Sequence, residues 1–325
     1  MSGARQERRD GGRHVSKEEL PLGRVAIVGP GRLGTVLAAA LARAGHRIVA
    51  AGGGGEAARA RFRTRFRSAT AFADPAAATV EADLVVVATP DDVVERVVVA
   101  LSRADAVGDG QRVVHVAGSM GLAPLRAARL AGARIAACHP AQTVPAADAP
   151  PEVLLGAPWA VTTAPADRGW ARALVNQVGG LPYEVADDRR ALYHAALVMG
   201  SNAVGAAVAA ARQLLVAARI HEPATFLATL SHESVENVLL RGAGAITGPV
   251  ARADVGTLRR HLDELDAEVP TLAVAYRALS TAILSQVRPS LAPERSKDVE
   301  AALTPDVALP CSRPTASGAD PAGEG

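Results

Sequence analysis

Three groups of residues in this chain have types and spacings that suit chemistry. The first is the run Val-Ala-Ile-Val-Gly-Pro-Gly-Arg-Leu-Gly at 25–34, which sets Gly29, Gly31 and Gly34 between an apolar strand and an apolar helix. In a dinucleotide fingerprint the first glycine allows the tight turn, the second lets the backbone approach a pyrophosphate, and the third permits close helix–strand packing. Arg32 and Leu33 would then open the helix expected over 33–44, whose N-terminus attracts phosphate. The second group is His139-Pro140-Ala141-Gln142-Thr143, directly after a strand candidate at 134–138. A residue before proline is held extended, so the imidazole is aimed, and an ordinary histidine pKa suits proton transfer near neutrality. Gln142 is a candidate substrate contact. The third group lies on one helix: His194 and Ser201 are seven apart and share a face, with Asn202 about 80 to 100° round. Buried polar groups on a helix of Ala, Leu, Val, Met and Gly need partners, either a ligand or another helix.

Further residues must support such a site. Thr89 and Pro90, at the end of the strand candidate 82–88, would lie near a cofactor ribose, with Asp91 or Asp92 capping the next helix. Ser119 follows the strand candidate 112–117 and either meets a ligand or bonds its own turn. Sites that prefer NAD place an acid about 20 residues beyond the fingerprint, on the ribose 2′-hydroxyl. Here the first acid after Gly29 is Glu56, beyond the glycine run 52–55, and Arg59, Arg61, Arg63, Arg65 and Arg67 follow it. A 2′-phosphate needs cationic donors, so NADP is favoured, with Arg59 and Arg61 as its candidate contacts. The alternative is that these arginines form the solvated face of a helix.

The elements that position these residues follow a clear order. Strand candidates at 24–28, 47–51, 82–88, 112–117, 134–138, 159–163 and 181–186 alternate with helical stretches, which predicts α/β architecture: a Rossmann doubly wound, mostly parallel sheet over 23–187. From 188 to 289 the pattern turns to Ala/Leu/Val helices, read as an all-helical substrate and dimerisation domain. Asp254 is expected to cap a helix over 255–268. Arg252 just before it is a candidate for a substrate carboxylate or for an interdomain ion pair. Residues 1–22 and 290–325 read as disordered tails, so a chain trimmed to 23–290 should fold.

Composition narrows the function classes. With 325 residues and 49% hydrophobic content the chain can bury one large or two moderate cores. Thirty-five basic residues against 33 acidic ones give no reason to invoke nucleic acid. Cys138 and Cys311 are the only cysteines, so no disulfide framework or metal site is expected and a cytoplasmic location fits. The first 22 residues lack the apolar segment of a secretory signal. The uncharged stretch 191–211 has membrane-spanning length but is read as a buried helix.

Five motifs in order, Gly29-Pro-Gly-Arg-Leu-Gly34, Thr89-Pro-Asp-Asp92, His139-Pro-Ala-Gln-Thr143, Ala191-Leu-Tyr-His-Ala-Ala196 with Ser201-Asn202, and Ile246-Thr-Gly-Pro-Val-Ala-Arg-Ala-Asp254, resemble a known family. These are the Rossmann-like proteins with the C-terminal domain of unknown function 2520. They are relatives of pyrroline-5-carboxylate reductases, prephenate dehydrogenases and 6-phosphogluconate dehydrogenase-type enzymes. Ala141, Val144 and Ala253 depart from the family pattern, which usually has a bulky residue, an aromatic and a glycine there. The resemblance implies a helical domain that helps form the site and often a dimer. Some members are associated with ketopantoate (2-dehydropantoate) reduction in pantothenate biosynthesis. Many relatives use a helix lysine as proton donor, but the only lysines here are Lys17 and Lys297. His139 and His194 are then the candidates, and a His-Pro at the same strand end in prephenate dehydrogenase-like relatives favours His139. Residues and resemblance together imply a homodimeric, NADP-dependent oxidoreductase acting on a small oxo or hydroxy acid. An imine reductase of the pyrroline-carboxylate type, a deazaflavin-dependent enzyme and a nucleotide-binding regulator without turnover are the alternatives.

Overall fold

The computed structural model describes residues 20–305. Strands and helices alternate: β1 (Arg24–Val28), α1 (Arg32–Arg43), β2 (Arg47–Gly52), α2 (Glu56–Arg65), β3 (Thr70–Phe72), α3 (Pro75–Thr79), β4 (Leu84–Val87) and α4 (Val94–Arg103). They continue through β5 (Arg112–His115), α5 (Arg126–Leu130), β6 (Arg134–Pro140), β7 (Pro158–Thr163), α6 (Arg168–Gln177) and β8 (Leu181–Glu184) to α7 (Arg190–Val198) and a π turn at Met199–Ala203. The eight strands form one sheet in the order β3-β2-β1-β4-β5-β6-β7-β8. Every neighbouring pair is parallel except β6 with β7. The chain runs outward from β1 in both directions, so the strand order reverses between β1 and β4, where open sheets of this kind bind ligands at their carboxyl ends.

Alternating side chains build a core on each face, as a parallel sheet requires. Val25, Ile27, Leu84 and Val86 pack with Val36, Leu37 and Leu41 of α1, Phe62 of α2 and Trp170 of α6. Ala26, Val28, Val85 and Val87 pack with Val94, Val98 and Leu101 of α4 and with Leu125 and Ala128. The mostly parallel, doubly wound sheet and the helical region after it are those the sequence implies. β3 is an addition: three residues are too few to show a period, and the strand exists because it continues β2 through Ala50↔Thr70.

The chain divides into two compact units between Ser201 and Asn202, whereas the sequence reading set the boundary at 187/188. The second unit holds α8 (Val204–Ala217), α9 (Pro223–Arg241), α10 (Val255–Glu268), α11 (Pro270–Val287) and α12 (Pro293–Leu303). Val250, Leu258, Leu262, Leu284, Val287, Val299 and Leu303 make its core. Asp254 caps α10 as expected, accepting from the Thr257 amide at 3.0 Å. Ala253 before it sits at φ 51, in the left-handed region where glycine is favoured.

Three expectations need correction. The tail read from 290 onward contains α12, whose Ser296, Val299 and Leu303 are buried at spacings of three and four. Pro293 and the charged residues between those positions mask a regular helical stripe. At the other end Leu20 is buried in the first unit and its carbonyl accepts from Gln177 Nε2 at 2.7 Å, so the N-terminal tail does not extend to residue 22. The stretch 191–211 is not a buried helix. Arg190 is the one buried residue of α7, and α8 has none among the described residues. The helical run Asp187–Ala217 is, by length and composition, long and apolar enough to cross a membrane, with mean hydropathy 1.4.

Candidate active site

The glycine turn after β1 is shaped as the fingerprint demands. Gly29 lies at φ 90, where a side chain would also fall 2.8 Å from the Ala88 carbonyl oxygen. Gly34 packs so closely that a Cβ would collide with the Gly29 carbonyl. At Gly31 a Cβ would meet nothing within 4 Å, so that glycine faces open space. The turn borders a cleft of about 430 Å³ lined by Gly29, Pro30, Gly31, Gly53, Gly54, Thr89, Pro90 and Arg96 among others. Thr89 Oγ1 is buried there without a hydrogen-bond partner in the described structure. Arg96, on α4, was not singled out in the sequence, where one charged position on an amphipathic helix carries no signal.

The arginines of α2 divide. Arg59 folds back to Glu56 at 2.8 Å and onto the Gly54 carbonyl, at the edge of the cleft. Arg61 lines a separate cleft of about 720 Å³ with Arg32, Thr35, Thr64 and Arg65. Leu33 is half-buried and packs against the core of the first unit. Arg63 pairs with Glu56, and Arg65 donates to the carbonyls of Ala147 and Ala149.

A second group gathers at the ends of β5 and β6. His139 stands opposite Ala160 in the β6–β7 ladder. Its Nδ1 is 3.0 Å from the Tyr193 hydroxyl, and its ring meets the rings of Tyr193 and His194 edge-on at 5.8 and 5.6 Å. Gly118 lies between the two histidines: a Cβ there would collide with the His194 ring and lie 3.0 Å from His139 Nε2. Arg190, Tyr193 and His194 come to one face of α7 because they are spaced i, i+3, i+4. The Arg190 guanidinium is fully buried and donates to the carbonyls of Met120, Ala160 and Ala117 at 2.9, 3.1 and 2.6 Å. It also lies 5.7 Å from the centre of the Tyr193 ring. His115 accepts from the Ala117 amide and donates to the Gly121 carbonyl, which makes it a structural, neutral histidine.

Burial dominates the electrostatics. It lowers His139 to about 4, with Arg190, His194 and His115 adding to the effect. The expectation of a histidine titrating near neutrality is therefore wrong: His139 is neutral at pH 7, because its cation would be desolvated beside a permanent positive charge. Burial also raises the Tyr193 phenol, partly offset by Arg190, and pushes the Cys138 thiol up to about 12.

Other sequence candidates are placed differently from expectation. Ser119 donates to Asp91 at 3.0 Å, so Asp91 is a side-chain acceptor rather than a helix cap. Gln142 spends its amide on its own loop, donating to the Val153 carbonyl and accepting from the Thr143 amide. Ser201 and Asn202 sit in the π turn and are exposed, not buried. Such turns recur at functional sites. Arg252 is exposed in the second unit, and its carbonyl accepts from Arg295. Sequence reading missed Arg190 and Tyr193. Their signal is the i, i+3, i+4 spacing of Arg190, Tyr193 and His194, whereas a spacing of seven picks out His194 with Ser201 alone.

Residues 11–140 match the Rossmann-like domain family, and residues 157–283 match the family described as Domain of unknown function (DUF2520). No curated protein matches the chain. A Bacteroides fragilis protein provisionally assigned as an NADP oxidoreductase is similar in structure at 23% identity and TM-score 0.70, over 81% of this chain and 98% of that one. Myxococcus stipitatus imine reductase in complex with NADP+ aligns at 19% identity and TM-score 0.57, covering 87% and 98%. Plasmodium falciparum pyrroline carboxylate reductase with NADP bound aligns at 12% and 0.52, covering 87% and 98%. These likenesses speak to the fold. The Rossmann-like model and the DUF2520 model thus match the chain one after the other, in that order along its length.

Proposed function

We propose that this protein is an NADP-dependent oxidoreductase that reduces a small carbonyl or imine compound. The observation that carries the reading is the glycine cleft at the β1/β4 reversal. Gly31 opens onto empty space, Thr89 Oγ1 lacks a partner, and β2 ends in Gly52 with no acid to occupy the place of a 2′-phosphate. A pyrophosphate approaching Gly31, a ribose meeting Thr89 and cationic charge from Arg96 and Arg59 would suit NADP(H). The bound nicotinamide supplies the hydride; the protein supplies orientation and a proton. His139, with Tyr193 and His194 around it, is the group that manages that proton. Solved relatives of the same fold that bind NADP, an imine reductase and a pyrroline carboxylate reductase among them, support a carbonyl or imine substrate. Ketopantoate is the first oxo acid to try, on the family association.

The second unit and the partner state belong to the same reading. The apolar exposed faces of α8 and α9 would be covered by a second copy of the chain, giving a cytoplasmic homodimer. The test is consumption of NADPH across a panel of small oxo acids and cyclic imines. Turnover by the native chain, falling at least about tenfold in His139→Asn while NADPH affinity holds, supports the reading. NADPH binding without turnover of any member would favour a nucleotide-binding regulator.

A further inference from the structure

The Arg190 guanidinium is buried with all its hydrogen bonds to backbone carbonyls, and no carboxylate lies in ion-pair range among the described residues. Carbonyls satisfy its N–H groups but leave a whole positive charge in a desolvated place, which is costly unless negative charge develops nearby. The group beside it that can acquire such charge is the Tyr193 phenol, whose ring centre is 5.7 Å from the guanidinium carbon and whose hydroxyl is 3.0 Å from His139 Nδ1. The charged and titratable groups facing this pair are His115 and Cys138 from the sheet, His194 on α7, and, beyond Arg190, Asp91 and Asp187. His115 is tied into backbone hydrogen bonds and the Cys138 thiol is fully buried, so neither can replace the phenol.

We propose that Tyr193 is the proton donor of the site, with His139 behind it as relay and Arg190 holding the phenolate. This rests on the oxidoreductase reading above. In the Nδ1–H tautomer His139 donates to the Tyr193 oxygen and leaves the phenolic hydrogen free for the substrate. As hydride adds to the substrate carbon, the C=O or C=N π pair moves to the heteroatom. The Tyr193 O–H bond breaks and its proton forms the new O–H or N–H bond. The phenolate then takes the Nδ1 proton of His139 as a proton from bulk solvent arrives at Nε2, and the neutral Nε2–H imidazole so formed returns to the Nδ1–H tautomer by proton exchange with solvent before the next turnover. The raised phenol keeps its proton at neutral pH, and the lowered imidazole stays neutral, as a relay requires.

Two measurements test this. In the native chain with ¹⁵N-labelled histidine, the ring shifts of His139, assigned by comparison with His139→Asn, should report the neutral Nδ1–H tautomer; an Nε2–H tautomer would mean that Tyr193 spends its proton on His139 and overturns the proposal. In turnover, Tyr193→Phe should lose about 10² to 10⁴ in kcat with unchanged NADPH affinity and melting temperature. His139→Asn should lose less, about 10- to 100-fold, because donor and cation remain. Tyr193→Phe within threefold of the native chain, or less damaging than His139→Asn, overturns the proposal while the oxidoreductase reading stands. No turnover of any carbonyl or imine by the native chain takes both down.

Discussion

His139 carries its neutrality as a stability effect. Its folded pKa of about 4 lies below the unfolded value near 6.5, so the unfolded state binds more protons between them. The contribution is present above about pH 6.5 and is lost as pH falls towards 4, up to about 3 kcal/mol. Melting temperatures measured from pH 7 to 4.5 should fall less steeply in His139→Asn than in the native chain; parallel slopes would show that His139 is not desolvated. At this scale the glycines were legible because their role is set by backbone conformation alone, and His139 because proline fixes the residue before it. Tyr193 and Arg190 were not. An arginine in an alanine-rich helix looks like surface, and only the carbonyls of Met120, Ala160 and Ala117, distant in sequence, make Arg190 a buried one.

Among the elements, α12 shows how charge can hide a helix. Pro293 opens it, charged residues cover its outer face, and Ser296, Val299 and Leu303 turn inward to α10 and α11. Burying a valine and a leucine contributes roughly 3 to 6 kcal/mol. A chain ending at residue 290 should therefore melt well below one spanning 20–305 in calorimetry, with the loss confined to the second unit's transition; equal melting would mean α12 adds nothing to the core. The strands were easier to read. The inner strands, buried on both faces, show as runs rich in Val, Ile and Ala, while the largely exposed β8 (Leu-Pro-Tyr-Glu) lacks such a run, and the three-residue β3, which depends on β2 for its bonds, shows no pattern of its own. The π turn at Met199–Ala203 shows none either, since its composition, Met-Gly-Ser-Asn-Ala, fits an ordinary helix.

For the whole molecule, the described chain leaves a large apolar surface on α8 and α9. Val216, Phe226, Leu230, Leu239 and Leu240 are between 59% and 80% exposed. Helices that bury almost nothing are marginal in water, and on the proposed reading a second copy of the chain covers this patch. Light scattering should report a dimer at micromolar concentration. Phe226→Glu with Leu239→Glu should give a monomer, and a native monomer would contradict the assignment. The sequence marks 191–218 as apolar on all sides, from which a buried helix and a homodimer built on the helical domain are expected; composition alone does not say whether the same chain or a second copy covers it. The central claim, that the cleft beneath β1 and β4 holds NADP(H), is tested most directly at Gly31. Its backbone is extended and a Cβ there meets nothing within 4 Å, so Gly31→Val should fold normally while filling the space a pyrophosphate needs. In a fluorescence titration the native chain should bind NADPH at least about tenfold more tightly than NADH, and Gly31→Val should weaken NADPH by at least that factor at an unchanged melting temperature. No binding of either nucleotide by the native chain, or equal NADPH affinity in the variant, would contradict the account.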